Sequence, residues 1–213
     1  ATGLKGGATA TIVLRDRDAA LTVLNCGDCR ALLVTHPLAT GPTESYDARD
    51  GDEAAEEGDW SKMQETRDHS VVSERERLGQ EGVEVDCSRG TWRLKAGEWR
   101  LAVARCMGDD EWARHKVSDV AEVVTWSLTQ DSTNEEGRQG IQGQGPSSLV
   151  IASDGLWNVL STTDVVARVE RLRLEEGLDA QEVAGRLKES VRQYGGTDNV
   201  SIVVIFFQFI LAS

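Results

Sequence analysis

The chain is 213 residues long, enough for one domain with a sizeable core. Lys and Arg number 23 against 36 Asp and Glu, a formal net charge of −13. That balance argues against a nucleic-acid partner or an anionic membrane surface, since both call for a basic patch. The sequence shows no signal peptide and no apolar span long enough to cross a bilayer, so an intracellular location, cytoplasmic or nuclear, is expected.

The first elements predicted are strands. Thr9 to Leu14 and Ala20 to Leu24 read as a hairpin joined by Arg15-Asp16-Arg17-Asp18, and Arg30 to Val34 continues it after Gly27-Asp28. Residues 38–59 then lose all apolar periodicity. Eight acidic side chains there (Glu44, Asp47, Asp50, Asp52, Glu53, Glu56, Glu57, Asp59) face a single Arg49, the pattern of a solvated insertion. Glu74-Arg75-Glu76-Arg77-Leu78-Gly79 reads as a short helix stopped by glycine. Val83 to Leu94 reads as a loop with short strands, and Trp99 to Arg105 and Val117 to Trp126 as strands. Residues 130–147, rich in Gly and Gln, read as a second loop insertion.

Leu149-Val150-Ile151-Ala152 is a buried strand candidate that ends abruptly in Ser153-Asp154-Gly155. Ser161-Thr162-Thr163-Asp164 opens a helix with Val165, Val166, Val169 and Leu172 on one face. Asp179 opens another, whose apolar face is Val183, Ala184, Leu187, Val191 and Tyr194. The run from Val200 to Ala212 is a last strand, interrupted by Gln208. Many antiparallel strands with late helices make an α+β sandwich. The whole is read as a single domain over residues 1–213.

Candidate chemistry sits at the strand ends. Asp28 follows one apolar run, Asp109 another and Asp154 a third, while Asp198 precedes the last, each beside or near glycine. If those ends share one rim, the donors are all oxygen, which selects magnesium, manganese or calcium over softer metals. Cys26-Gly27-Asp28-Cys29 also spells C-x-x-C, a redox or zinc signature. No second C-x-x-C and no paired histidines accompany it, so two small residues around a tight turn is the simpler reading.

The order of motifs resembles the metal-dependent protein serine/threonine phosphatases of type 2C. Asn25-Cys26-Gly27-Asp28-Cys29-Arg30-Ala31 is similar to that family's N-x-G-D-S-R-A. Arg67-Asp68-His69-Ser70 with Glu74 to Leu78 is similar to its D-H segment and the short helix after it. Leu101 to Asp109 resembles L-A-V-S-R-A-x-G-D, and Ala152 to Leu160 resembles A-S-D-G-L-W-D-V-L. Gly7-Ala8-Thr9-Ala10 and Gly196 to Ser201 match a strand entry at each end.

The resemblance implies two antiparallel sheets packed face to face and flanked by helices, with a binuclear Mg2+ or Mn2+ site on one rim. It implies hydrolysis of phosphoserine or phosphothreonine in a phosphoprotein substrate. Asp154 and Asp198 would be carboxylate ligands and Asp28 an auxiliary one. Asn199, Asn158 and Gly155 would lie just behind them, with Asp109 and Arg105 as structural supports of the rim.

The departures are equally specific. The family's Asp-Gly-His-Gly segment, its preceding acidic ligand and its phosphate-gripping arginine are absent from this sequence. On the family's pattern the chain is a C-terminal portion lacking the first strands and helices. None of His36, His69 and His115 stands in the context of a general acid. Asn158 replaces a second aspartate, which removes one negative charge near the metals. A catalytically inactive relative that keeps the sandwich as a protein-interaction module is the alternative. The oligomeric state and the particular substrate are left open by the sequence.

Overall fold

A computed structural model of the chain describes residues 6–17, 20–37, 62–88, 90–128, 132–133, 139–140 and 144–207. In chain order, β1 (Gly7–Ala8), β2 (Ala10–Arg15), β3 (Ala20–Cys26), β4 (Arg30–Pro37) and β5 (Lys62–Glu65) lead to helix α1 (Arg75–Gln80). Next come β6 (Val85–Ser88), β7 (Thr91–Ala96), β8 (Trp99–Leu101), β9 (Met107–Gly108), a 3-10 segment over Asp110–His115, and β10 (Glu122–Ser127). The short pair β11 (Ser132–Thr133) and β12 (Gln139–Gly140) precedes β13 (Gln144–Ala152). The chain then forms α2 (Asp154–Trp157), α3 (Thr162–Glu170) with a π-helical extension over Arg171–Glu175, α4 (Ala180–Gln193) and β14 (Ile202–Phe207).

Two antiparallel sheets, ordered β10-β3-β2 and β14-β13-β4-β5, pack face to face. The burial pattern of β4 shows why its sequence is a continuous apolar run and not an alternating one. Ala31 and Leu33 join Leu149 and Phe207 against Leu21, Val23, Trp126 and Leu128 of the opposing sheet. Leu32 and Val34 join Val150 and Ala152 on the other face, beneath Val165, Val166, Val169, Val183, Leu187 and Val191 of the helices. A strand covered on both faces has no solvent side to mark with polar residues. The three-stranded sheet differs: Ile12, Leu14 and Val123 stay at least half exposed on its outer face. The architecture is the expected α+β sandwich, with helices on one side among the described residues.

The late helices are locally encoded. Ser161 and Asp164 form a reciprocal capping box at the start of α3, and Asp179 and Glu182 do the same for α4. Tyr194 departs from the apolar stripe expected of it. It is 62% exposed, and the Arg168 guanidinium lies 5.2 Å over its ring.

Other expectations shift. Strands β2, β3 and β4 do not form one continuous hairpin unit: β3 pairs with β2 and β10, whereas β4 lies in the other sheet between β13 and β5. The chain changes sheets at Gly27-Asp28-Cys29, a crossing that apolar runs of equal length on either side cannot announce. The segment read as a strand from Trp99 to Arg105 is a strand only to Leu101, after which Val103 makes an isolated bridge to Ser70. The strand expected from Val117 begins at Glu122. β13 reaches back to Gln144, into the stretch read as a Gly/Gln-rich loop over 130–147. The acidic insertion at 38–59 lies outside the described residues.

Below the sandwich, α1 and the β6-β7-β8 sheet enclose a small core of Val71, Leu78, Leu94 and Ala104. Glu74, only 3% exposed, stands at its edge. Its two oxygens accept from Arg105 Nη2 at 2.8 Å and Arg77 Nε at 2.5 Å. Burial pushes its carboxyl pKa up, but the hydrogen bonds from the two arginines outweigh burial, and the net shift is downward. A carboxylate of lowered pKa stabilises the fold above its unfolded pKa of about 4.3, and that contribution is lost as pH falls through the lower folded value. Glu74→Ala, which leaves two guanidinium groups short of their acceptor, is expected to cost about 3 kcal/mol in guanidinium chloride unfolding at neutral pH. The deficit against wild type should shrink in acid.

Candidate functional site

Sheet register places the acidic residues together. Ala152, the last residue of β13, pairs on one side with Arg30, the first of β4, and on the other with Ile202, the first of β14. Asp28 lies two residues before Arg30, Asp154 two after Ala152, and Asp198 four before Ile202. All three therefore leave the four-stranded sheet at one end.

The turns that carry them are packed tightly. Gly27 adopts φ +113°, and a side chain there would meet Thr9, so the crossing between sheets requires glycine. Gly155 lies so close to the Asp198 turn that an added Cβ would sit 2.4 Å from the Asn199 carbonyl oxygen. Ser153 ties the same two segments: its N–H donates to Ser201 O at 3.1 Å, and its Oγ accepts from Ser201 N at 3.1 Å.

The carboxylates feel one another. Burial raises the Asp28 pKa, and the negative charges of Asp154, Asp68 and Asp198 add to the rise. Asp154 Oδ2 accepts from Asn158 Nδ2 at 3.2 Å, and Asp198 Oδ1 accepts from the Asn199 N–H at 2.7 Å. Asn158 thus stands beside Asp154 as a donor, where an aspartate would have added repulsion. The Asn199 backbone, more than its side chain, is what joins the two turns.

Asp109 stands elsewhere in this arrangement. It caps the 3-10 segment in the left-handed region at φ 54°, accepts from Cys106 Sγ at 3.6 Å, and packs against Gly7. Arg105 bonds Glu74 and the Val120 carbonyl.

Three residues near that sheet end, Asp68, Arg30 and His69, were given no site role from sequence. Asp68 lies in the Arg67-Asp68-His69-Ser70 segment, whose motif likeness was visible without a role attached to it. Its carboxylate receives both Nε and Nη2 of Arg30, at 2.9 and 2.8 Å. Arg30 Nη1 reaches Thr162 Oγ1 at 2.9 Å and Glu65 at 3.3 Å, and its guanidinium lies 5.0 Å over the Trp157 ring. An open cleft of about 550 Å3 beside them is lined by Arg30, Glu65, Thr66, Arg67, Asp68, Ser70, Val72 and Ser73.

His69 is fully buried and bonds the Gly27–Asp28 turn. Its Nδ1 accepts from Gly27 N–H at 3.2 Å, its own N–H donates to Gly27 O at 2.8 Å, and Nε2 lies 3.2 Å from Glu122. Burial and then Arg105 lower its pKa against the pull of Glu122. Its two bonds to Gly27 clamp the turn. Cys26 is buried and Cys29 half-buried, with Cys29 Sγ 3.2 Å from Thr9 Oγ1. Burial raises both thiol pKa values, the opposite of a reactive C-x-x-C pair.

Among the described residues no three His, Cys, Asp or Glu side chains are arranged to hold one metal ion together. The donors at that sheet end are all carboxylate oxygen, the ligand type of a hard cation. Magnesium binds through one or two carboxylates and keeps several waters, and an all-carboxylate rim suits it in charge and softness. Asp154 and Asp198, on apposed turns, are the pair that would hold it, with Asp28 adjoining.

The architecture is a helix-backed antiparallel sandwich with three aspartates leaving the four-stranded sheet at one end. The chain belongs to the protein phosphatase 2C family, whose model matches residues 2–200. It is 32% identical over 204 residues to a protein kinase and PP2C-like domain-containing protein of Oryza sativa subsp. japonica, covering 95% of this chain and 24% of that protein. It is also 32% identical to the probable protein phosphatase 2C 74 of the same plant, over 95% of this chain and 40% of the relative. The chain thus spans less than half the length of either relative. In fold it is similar to a C. elegans sex determining protein, with TM-score 0.65 and 20% identity over 95% of this chain and 40% of that one. It is likewise similar to serine-threonine phosphatase 2C from Toxoplasma gondii, with TM-score 0.62 and 17% identity over 95% and 58%. No helix among the described residues is long and apolar enough to cross a membrane.

The contact of Gly155 with Asn199 gives a direct test of how the rim is held. Gly155→Ala must move one turn off the other and is expected to cost about 1–3 kcal/mol, read by chemical denaturation.

Proposed function

We propose that this chain is part of a metal-dependent protein serine/threonine phosphatase, with a phosphoprotein as substrate and Mg2+ or Mn2+ as cofactor. The observation that carries this reading is the convergence of Asp28, Asp154 and Asp198 at one sheet end in a chain of the protein phosphatase 2C family. Asp154 and Asp198 would hold one ion, and Asp28 would supply an auxiliary position. When bound, such an ion lowers the pKa of a coordinated water and offsets the charge that builds on phosphoryl oxygens.

This chain's own residues supply the placement. Ser153 and Ser201 lock the Asp154 and Asp198 turns together. Asn158 occupies one oxygen of Asp154 and leaves the other for a cation. His69 and Gly27 fix the turn that carries Asp28. A binuclear site on the family's pattern needs a further acidic ligand from an Asp-Gly-His-Gly segment, which these 213 residues do not contain. The chain by itself is therefore expected to take one weakly held ion and to turn over little phosphopeptide. The chain is proposed as a single domain.

A second reading is a catalytically inactive relative that uses the sandwich as a protein-interaction module. It draws on Asn158 in place of an acid and on the lack of a three-ligand group among the described residues.

One experiment separates the two. A longer polypeptide that joins this chain to an Asp-Gly-His-Gly segment is assayed on a phosphoserine peptide with manganese. The enzyme reading expects turnover that falls at least a hundredfold on Asp154→Ala, a larger loss than residues around a metal site alone commonly cause. No turnover, together with no manganese uptake, supports the interaction module. On the 213-residue chain, isothermal titration with manganese should show a single weak site, and a tight two-site isotherm would contradict the account.

A further inference from the structure

The two edges of the four-stranded sheet are unlike. One is β5, where Lys62, Gln64 and Glu65 make the kind of charged and polar edge that discourages a further strand. The other is β14, Ile202-Val203-Val204-Ile205-Phe206-Phe207, six strand-forming residues with no charge and no proline. Among the described residues β14 pairs with β13 alone. Antiparallel pairing on one side uses the backbone N–H and C=O of every second residue and leaves the others directed outward.

Side chains at this edge are uncovered as well. Ile202, Val204 and Phe206 pack toward the helices, and Phe207 packs into the core between the sheets. Val203 and Ile205 lie on the Phe207 side of the strand, yet they are 51% and 39% exposed. The edge of the opposing sheet, β2, runs along the same flank, since the Arg15 guanidinium stands 5.5 Å over the Phe207 ring. Ile12 and Leu14 on β2 are exposed too.

The charges around the edge select its occupant. Each chain carries a net charge of −13, so two copies repel wherever acidic surfaces meet. β14 has no acid of its own, and its two ends are opposite in sign. Arg15 and Arg173 lie over the rings of Phe207 and Phe206 at one end. The exposed Asp198 stands four residues before Ile202 at the other. An antiparallel strand of identical sequence sets its arginine end beside this aspartate end, and its aspartate end beside the arginines.

We propose that β14 is the contact strand of a symmetric dimer, in which β14 of a second copy adds antiparallel to it and makes the two four-stranded sheets continuous. A two-fold axis normal to the sheet renders the contact self-complementary and closes it at two copies. The outward backbone groups gain partners, and Val203 and Ile205 gain cover from the same residues of the other copy. The proposal does not depend on any metal being bound.

Sedimentation equilibrium of the 213-residue chain over about 1–100 μM, the range in which weak specific pairs form, is expected to show monomer and dimer in exchange. Amide hydrogen exchange across 202–207 should slow as the concentration rises. Val203→Lys gives this edge the kind of charged side chain that β5 carries, at a position exposed in the monomer. It is expected to raise the dimer dissociation constant roughly tenfold or more. Arg15→Glu, on the neighbouring strand, replaces an attraction by a repulsion in each copy and is expected to raise it about fivefold.

A chain that stays monomeric throughout that range overturns the proposal. So does a dimer that both variants leave intact, which would place the contact on another face, and so does association that continues past two copies. Should Val203→Lys fail to fold, Arg15→Glu and the exchange at 202–207 decide: no weakening and no concentration-dependent protection sink the idea. A longer polypeptide carrying an Asp-Gly-His-Gly segment that remains monomeric where the 213-residue chain pairs would give the edge to a segment of the same molecule, and the second copy would be ruled out as its occupant.

Discussion

Like charges brought together at the end of a sheet are the constraint around which this molecule is arranged. Burial raises the Asp28 pKa, and repulsion from Asp154, Asp68 and Asp198 adds to the rise. Three features offset it. Hydrogen-bond donors sit on individual oxygens, as Asn158 does for Asp154 and the Asn199 backbone for Asp198. Partial exposure lets water screen the charges, since Asp198 is exposed and Asp154 only half-buried. Arg30 supplies a full opposite charge to Asp68 in a geometry fixed by its fork.

The rigidity needed to hold that rim comes from the four-stranded sheet. Because β4 and β13 are covered on both faces, by the opposing sheet and by α3 and α4, their ends cannot shift without disturbing two cores at once. The antiparallel register that aligns Arg30, Ala152 and Ile202 then turns a property of the sheet interior into a property of the site. Three residues distant in sequence reach the same end because each is a fixed number of steps from an aligned row.

What the sequence disclosed follows the range of the interactions involved. The helix starts at Ser161 and Asp179 were legible because a capping box is closed within four residues. The sandwich was legible from apolar runs bounded by Gly and Asp; of the four strand-end aspartates, Asp28, Asp154 and Asp198 leave the four-stranded sheet at one end, whereas Asp109 stands elsewhere. The change of sheet at Gly27 was not, since nothing in two consecutive apolar runs says whether they pair with each other or with strands more than a hundred residues away. Asp68 escaped assignment because it belongs to no strand end and its partner Arg30 is 38 residues distant. The burial of Glu74 was hidden for the same reason, its partner Arg105 lying 31 residues on. Tyr194 misled because helical spacing fixes a direction around the helix axis, not whether anything stands opposite to cover it.

Behind the rim a second polar layer carries the same logic inward. His69 bonds the Gly27–Asp28 turn at two points and reaches Glu122 on β10; its backbone carbonyl accepts from Ala104, next to Arg105, which in turn bonds Glu74. The turn that presents Asp28 is thereby fixed to the α1 lobe through a run of partnered polar groups. Buried polar groups of this kind add little to net stability compared with apolar packing, but each one left unpaired is costly, so they discriminate sharply between the correct arrangement and near neighbours. The apolar cores decide that the two sheets stack. The polar layer decides where, to within a hydrogen bond, the Asp28 turn must stand when they do.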